Sequence, residues 1–178
     1  MTRTLFALAA AALVAAHSPA ADIKLNGENT KIEFVGSKPE GKHTGGFKKL
    51  DGKAVVADGK LTELDMTIDI DSLYSDDAKL TAHLKGPDFF NVTANPKATV
   101  KLDTVTKKGD IYILTGKLTM CGKTGGFELP ASVSMHDGGI SISGETKLDR
   151  TKWGMTYGKG KIDDTVLLKV AVTAKNKK

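Results

Sequence analysis

From Leu64 to Asp71 apolar and polar residues alternate without a break. Leu64, Met66, Ile68 and Ile70 fall on one side; Asp65, Thr67, Asp69 and Asp71 fall on the other. Three of those four polar residues are acidic, so that side belongs in water and the apolar side in a core. A period of two is the mark of a half-buried β-strand. The pattern recurs at Ile32 and Phe34, at Ala54 and Val56, at Ala98, Val100 and Leu102, and over Ile111 to Met120. It returns at Phe127, Leu129, Ala131, Val133 and Met135, at Ile140, Ile142, Gly144, Thr146 and Leu148, and from Val166 to Ala174. Asp58-Gly59, Lys107-Lys108-Gly109-Asp110 and Asp137-Gly138-Gly139 supply the turns between them. Eight strands joined mostly by short turns predict an all-β protein, either a closed antiparallel barrel or a sandwich.

One segment departs from this period. Within Ser72 to Asn91, Leu73, Leu80 and Leu84 are spaced for one face of a helix. Ser75-Asp76-Asp77 offers an N-cap and Gly86-Pro87 a stop. The segment predicts one short helix, placed either to close an end of the barrel or simply to pack on the sheet. Thr44-Gly45-Gly46-Phe47 is echoed by Thr124-Gly125-Gly126-Phe127. Paired glycines ahead of a strand position allow the tight bends that barrel closure needs.

Arg3, the apolar run from Leu5 to Ala16, and the small residues up to Ala20 have the grammar of a secretory leader. The run is too short to span a bilayer comfortably. The expected organisation is a signal peptide over 1–20 and a single domain over 21–178, long enough for one core and exported to the periplasm or beyond. No stable membrane span is expected after processing. The chain carries 26 Lys/Arg and 21 Asp/Glu, dispersed along its length, and no basic patch interleaved with aromatics points to nucleic acid. Cys121 is the single cysteine, so no disulfide framework is expected; a small, packed thiol is the simpler reading.

Recognisable catalytic constellations are missing from the pattern. Gly122-Lys123-Thr124 has the wrong spacing from Gly116 for a phosphate-binding loop and no helix after it. His43, His83 and His136 are isolated from one another in sequence, without metal-ligand spacing. There is no Gly-x-Ser-x-Gly elbow. Asp65, Asp69 and Asp71 read as solvated charges that discourage edge pairing. What remains is the apolar face. In an eight-stranded barrel, inward side chains either fill the interior or leave room for one small ligand, and the pattern alone leaves both open. An inward set of mostly Ile, Val, Leu, Met and Ala suits a long, flexible, uncharged chain, each buried methylene contributing about 0.8 kcal/mol.

Several segments, in order, resemble one family. Pro87-Asp88-Phe89-Phe90-Asn91 is followed by Asn95-Pro96-Lys97-Ala98, then by Thr115-Gly116-Lys117-Leu118-Thr119-Met120-Cys121-Gly122-Lys123-Thr124, then by Leu148-Asp149-Arg150-Thr151-Lys152-Trp153-Gly154-Met155. The set is similar to the YceI-like family of exported bacterial proteins, over about Ala21 to Ala174. The resemblance implies a lipocalin-like eight-stranded antiparallel barrel with an elongated apolar cavity, and binding of polyisoprenoids such as isoprenoid quinones. It assigns Phe89 and Phe90 to the barrel wall or mouth. Arg150 and Trp153-Gly154 match the family's Arg-x-x-aromatic-Gly element, read as structural, with Arg150 paired to Asp88 at one rim. Two positions depart from the family: Thr30-Lys31-Ile32-Glu33-Phe34 stands where a His commonly precedes a Phe, and Cys121 stands where His is common.

The resulting expectation is a non-catalytic carrier or sequestering protein for a long apolar lipid, a polyisoprenoid or isoprenoid quinone. Its ligand wall is expected to comprise Phe34, Met66, Ile68, Leu73, Leu80, Leu84, Phe89, Leu118, Met120 and Trp153. No cofactor or metal is expected beyond a bound isoprenoid lipid. A homodimer, or a membrane redox partner for a quinone cargo, is compatible with the sequence. The rival expectation is a stress-response or structural exported protein with a filled barrel, acting through protein partners.

Overall fold

The computed structural model describes residues 20–136 and 138–176. The expected leader, apart from Ala20, and Asp137 of the expected hairpin turn lie outside the described residues. Eleven strand segments form one sheet: β1 (Ala21–Asn26), β2 (Thr30–Lys38), β3 (Gly41–Phe47), β4 (Leu50–Ala57), β5 (Lys60–Asp69), β6 (Leu73–Ser75), β7 (Lys97–Lys108), β8 (Ile111–Met120), β9 (Lys123–His136), β10 (Gly139–Asp149) and β11 (Thr165–Lys175). Every named pairing is antiparallel.

The eleven segments make eight passes, because the first three passes are each broken once. Residues 21–38 run antiparallel to 41–57, with Ala21 opposite Val56 in β1–β4 and Glu33 opposite Gly46 in β2–β3. Residues 60–75 run beside 41–57 in the same way, through β4–β5 and β3–β6. β11 pairs with both β10 and β2, so every pass has two hydrogen-bonded neighbours and the sheet closes. The three breaks lie side by side. Lys48 donates its N–H to the Ser72 carbonyl at 3.2 Å, and Gly27 approaches the Lys48 carbonyl so closely that a Cβ there would clash. Here a glycine is required by close approach, and the barrel bends along one line across three neighbouring passes.

The expected helix is shorter than its pattern. α1 spans Ala78–Lys85, with the Asp77 side chain accepting the Leu80 N–H at 2.7 Å and Gly86 closing its C-terminus. Leu73, expected on that helix, instead pairs with Phe47 in β6–β3. Sheet closure claims residues 73–75, and the helix starts only where Asp77 can cap it.

One end of the barrel is solid. Ile23, Leu25, Ala54, Leu61, Ile140 and Ala174 are buried there, near the β4–β5, β7–β8 and β9–β10 turns. Asp58-Gly59 is a two-residue turn with φ of 50° and 69°, the primed geometry that suits the twist of a hairpin. The opposite end carries the Pro39-Glu40 turn, α1, the Cys121-Gly122 turn and the long β10–β11 connection.

That connection is organised by Arg150, buried to 4% exposure. Its Nε donates to the Asp163 carbonyl at 3.0 Å. Nη1 donates to the Met155 and Tyr157 carbonyls, and Nη2 to the Ile162 carbonyl and Asp164 Oδ1. All five guanidinium N–H groups are thereby used. The expected Arg150–Asp88 pair does not form: Asp88 pairs with His83 at 2.9 Å, and the partner of Arg150 is Asp164 at 3.1 Å. The nearer carboxylate, on the connection that Arg150 itself organises, takes the pair. Arg150→Met should destabilise the fold by about 3–5 kcal/mol, since it leaves several carbonyls and Asp164 without their donor. An unfolding free energy from urea titration within about 0.5 kcal/mol of the parent, allowing for the extrapolation, would show the network to be dispensable.

Candidate functional site

Above the solid floor the interior is hollow. A cavity of about 250 Å³ opens toward the α1 end, and its lining is dominated by aliphatic and aromatic side chains. The alternating faces of the strands provide it: Met66 and Ile68 from β5, Leu118 and Met120 from β8, Leu168 and Val170 from β11. Two cross-strand pairs help to keep it open. Phe34 faces Gly45 across β2–β3, and Phe127 faces Gly116 across β9–β8. Each ring lies where a side chain on the glycine would otherwise stand. A large residue folded onto an empty position covers backbone without filling the lumen.

α1 forms a lid over one side of this opening. None of its residues is fully buried, yet Leu80 and Leu84 face the cavity, as do Phe89 and Phe90 just beyond it. Two His–carboxylate contacts bracket the lid. His43 on β3 meets Asp76 at 3.0 Å ahead of α1, and His83 on α1 meets Asp88 at 2.9 Å behind it. His83 also stands edge-on to Phe89 and Tyr157, with ring centroids 5.1 and 4.8 Å away. Cys121 occupies the left-handed first position of the β8–β9 turn, with φ of 50°, and directs its S–H toward the Phe89 and Phe90 carbonyls at 3.8 Å. Burial pushes its thiol pKa up, against a smaller lowering by Lys123, which suits a packed thiol better than a reactive one.

Of the ten residues expected on the wall, Phe34, Met66, Ile68, Leu80, Leu84, Phe89, Leu118 and Met120 line the cavity. Leu73 and Trp153 do not. Leu73 is buried against β3 below the lid. Trp153 lies on Gly125 and donates its indole N–H to the Leu118 carbonyl at 3.1 Å, bracing the wall from outside the cavity. Phe47, Phe127, Leu129 and Met155 also line it and were missed by the sequence reading. Phe127 and Leu129 were legible from the strand alternation. Phe47 follows Gly46 in a stretch with no alternation to read, and Met155 reaches the cavity only through the fold-back that Arg150 organises. Among the described residues, no three His, Cys, Asp or Glu side chains gather as a metal site, and no helix is long and apolar enough to cross a membrane.

Asp76 has its pKa held below the usual carboxylate range, first by the Thr44 N–H and then by His43. A carboxyl depressed in the folded state stabilises that state above its unfolded value, near 3.8, and loses that contribution as pH falls from there through the lower folded value. Acid should therefore weaken the tether between β3 and the start of α1. Asp76→Asn should speed amide exchange at Thr44 and in α1 at pH 6 and remove this acid step. Unchanged exchange in α1 would show that the tether does not hold the lid.

The sequence matches the YceI-like domain over residues 24–174. A UPF0312 protein of Pseudomonas aeruginosa is 33% identical over 134 residues, covering 69% of this chain and 67% of its own. One from Pectobacterium carotovorum is 32% identical over 146 residues, covering 75% and 73%. Among solved structures, Burkholderia cenocepacia BcnA superposes with a TM-score of 0.74 at 24% identity, over 82% of this chain and 96% of BcnA. A domain from Saccharophagus degradans described as polyisoprenoid binding does so with a TM-score of 0.70 at 14% identity, over 89% and 100%. These superpositions establish the shared fold. With its family model matched from β1 through β11, the chain belongs to the YceI-like family.

Proposed function

We propose that the protein binds the apolar tail of one long lipid, a polyisoprenoid, in the hollow half of the barrel, and carries or sequesters it after export, without transforming it. The observation that carries this reading is the cavity itself: an apolar lumen under a lid of Leu80, Leu84 and Phe89. The description of the Saccharophagus degradans domain as polyisoprenoid binding supports the choice of ligand class.

The magnitudes are adequate and modest. At about 30 Å³ per water-sized group, a cavity of about 250 Å³ holds at least about eight methylene-sized groups. Their burial contributes about 6 kcal/mol at about 0.8 kcal/mol each, against an association cost of about 4 kcal/mol or more. A longer tail gains more if flexible residues such as Met66 and Met120 move aside.

The test is to purify the protein without detergent, weigh it by native mass spectrometry, then denature it and identify what is released. A stoichiometric apolar adduct is expected. A protein that is empty and also refuses added isoprenoids would overturn the reading and direct attention to protein partners. Met66→Lys places a charge in the lumen and should abolish uptake in a variant that still folds, as checked by circular dichroism; retained affinity would remove Met66 from the binding surface.

A further inference from the structure

The ladder between β9 and β10 covers only part of their length. It runs from the Gly139–His136 pair to the Gly144–Ala131 pair and stops. Residues 123–130 of β9 keep β8 as a neighbour, and residues 145–149 of β10 keep β11, but the two stretches do not pair with each other. The next position in register would set Glu145 against Pro130. A proline has no N–H to give a ladder and belongs at a strand edge. Gly144 marks the last close approach, since a Cβ there would clash with the Pro130 carbonyl and with Ala131. β5 and β7 also part, beyond Asp65 and Lys101, but toward the solid end. The β9–β10 slot lies in the hollow half. Phe127 and Leu129 flank it on β9, Thr146 and Leu148 on β10, and all four line the cavity.

The slot is closed by the strap of chain that follows β10, residues 150–155. Arg150 anchors its start to the β10–β11 connection. Gly125 faces the cavity-lining Leu118 across β9–β8, so its missing side chain would point inward, and the Trp153 ring takes that place. A Cβ on Gly125 would stand 2.7 Å from the ring. The indole N–H donates to the Leu118 carbonyl at 3.1 Å. Gly154, with φ of 89°, turns the strap, and Met155, 4% exposed, reaches the cavity. Among the described residues, the indole makes the single hydrogen bond from this strap to β8 or β9. Parting two paired strands breaks several backbone hydrogen bonds at once, each contributing about 1 kcal/mol net. Opening the slot breaks one and unseats two side chains.

We infer that the β9–β10 slot is a side entrance to the cavity, and that the strap from Arg150 to Met155 is its gate, held shut by Trp153 on Gly125. The inference rests on the tail-binding reading and adds the route by which a tail enters. A flexible chain passes in sideways along its length, rather than end-first beneath α1.

The experiment follows uptake and release of all-trans-retinol, a fluorescent and uncharged isoprenoid, by stopped flow with direct excitation of the retinol. G125A drives the Trp153 ring from its seat, and W153F keeps an aromatic ring there without the N–H donor. Circular dichroism checks the fold of both. Since Trp153 is the only tryptophan, stronger acrylamide quenching in G125A shows that the ring has moved. In each variant uptake and release should both quicken about tenfold, the equivalent of roughly one hydrogen bond. The dissociation constant should change less than about threefold, because a gate alters the barrier and not the two states it separates. Faster release with unchanged uptake would overturn the gate and leave Trp153 as ordinary wall. Unchanged rates in folded W153F would overturn it too, whether or not G125A folds. Failure of the unaltered protein to take up retinol would overturn tail binding, and the entrance with it.

Discussion

Closure of the backbone ladder is the constraint on which everything else in this protein depends. An open sheet must bury its faces to survive and must protect its edges. A closed one satisfies its strands through their own neighbours, here eight passes joined from β2 round to β11. That freedom lets the side chains inside be uneven, dense at one end and sparse at the other. The unevenness has a cost. At about 24 cal/mol per Å³, a hollow of about 250 Å³ forgoes on the order of 6 kcal/mol relative to a filled core. That is comparable with the whole net stability of a domain, about 5–15 kcal/mol.

The compensation is visible in how the two ends are built. The floor is packed with Ile23, Leu25, Leu61 and Ile140, all nearly inaccessible. At the mouth, where Trp153, Met155 and Leu73 are buried as well, directed polar contacts supply much of the order. Arg150 spends all its donors on one loop, while Asp149 accepts the Thr151 N–H to start the short turn before it. Hydrogen bonds fix geometry without occupying the lumen, so a binding end can be shaped by them where packing would close it.

Much of this was legible in the sequence because the period of two survives wherever a strand is long and one-sided. Leu64 to Asp71 showed which residues of β5 point inward, and the same parity placed Leu118 and Met120 correctly. The failures have a common cause: they occur where tertiary pairing overrides a local pattern. Leu73 fits the helical spacing of Leu80 and Leu84, yet its backbone is taken by β3. Trp153 reads as an aromatic that should face a ligand, yet Gly125, distant in sequence, offers it a flat seat. The strand count illustrates the same point. The eight alternating stretches are the eight passes, and the additional segments arise from breaks at Gly27–Asn29, Lys48-Lys49 and Ile70–Ser72 that only the neighbouring strands reveal.

The solid floor has one further consequence. A barrel open at both ends would thread a chain of any length, whereas the far end of this one is filled by buried side chains, Leu61 and Ile140 among them. A chain drawn in from the lid end, as proposed, would be stopped at a fixed depth, and its remainder would stay at the mouth. The lumen would then act as a depth gauge, and shaving the floor would lengthen its scale while the opening kept its shape.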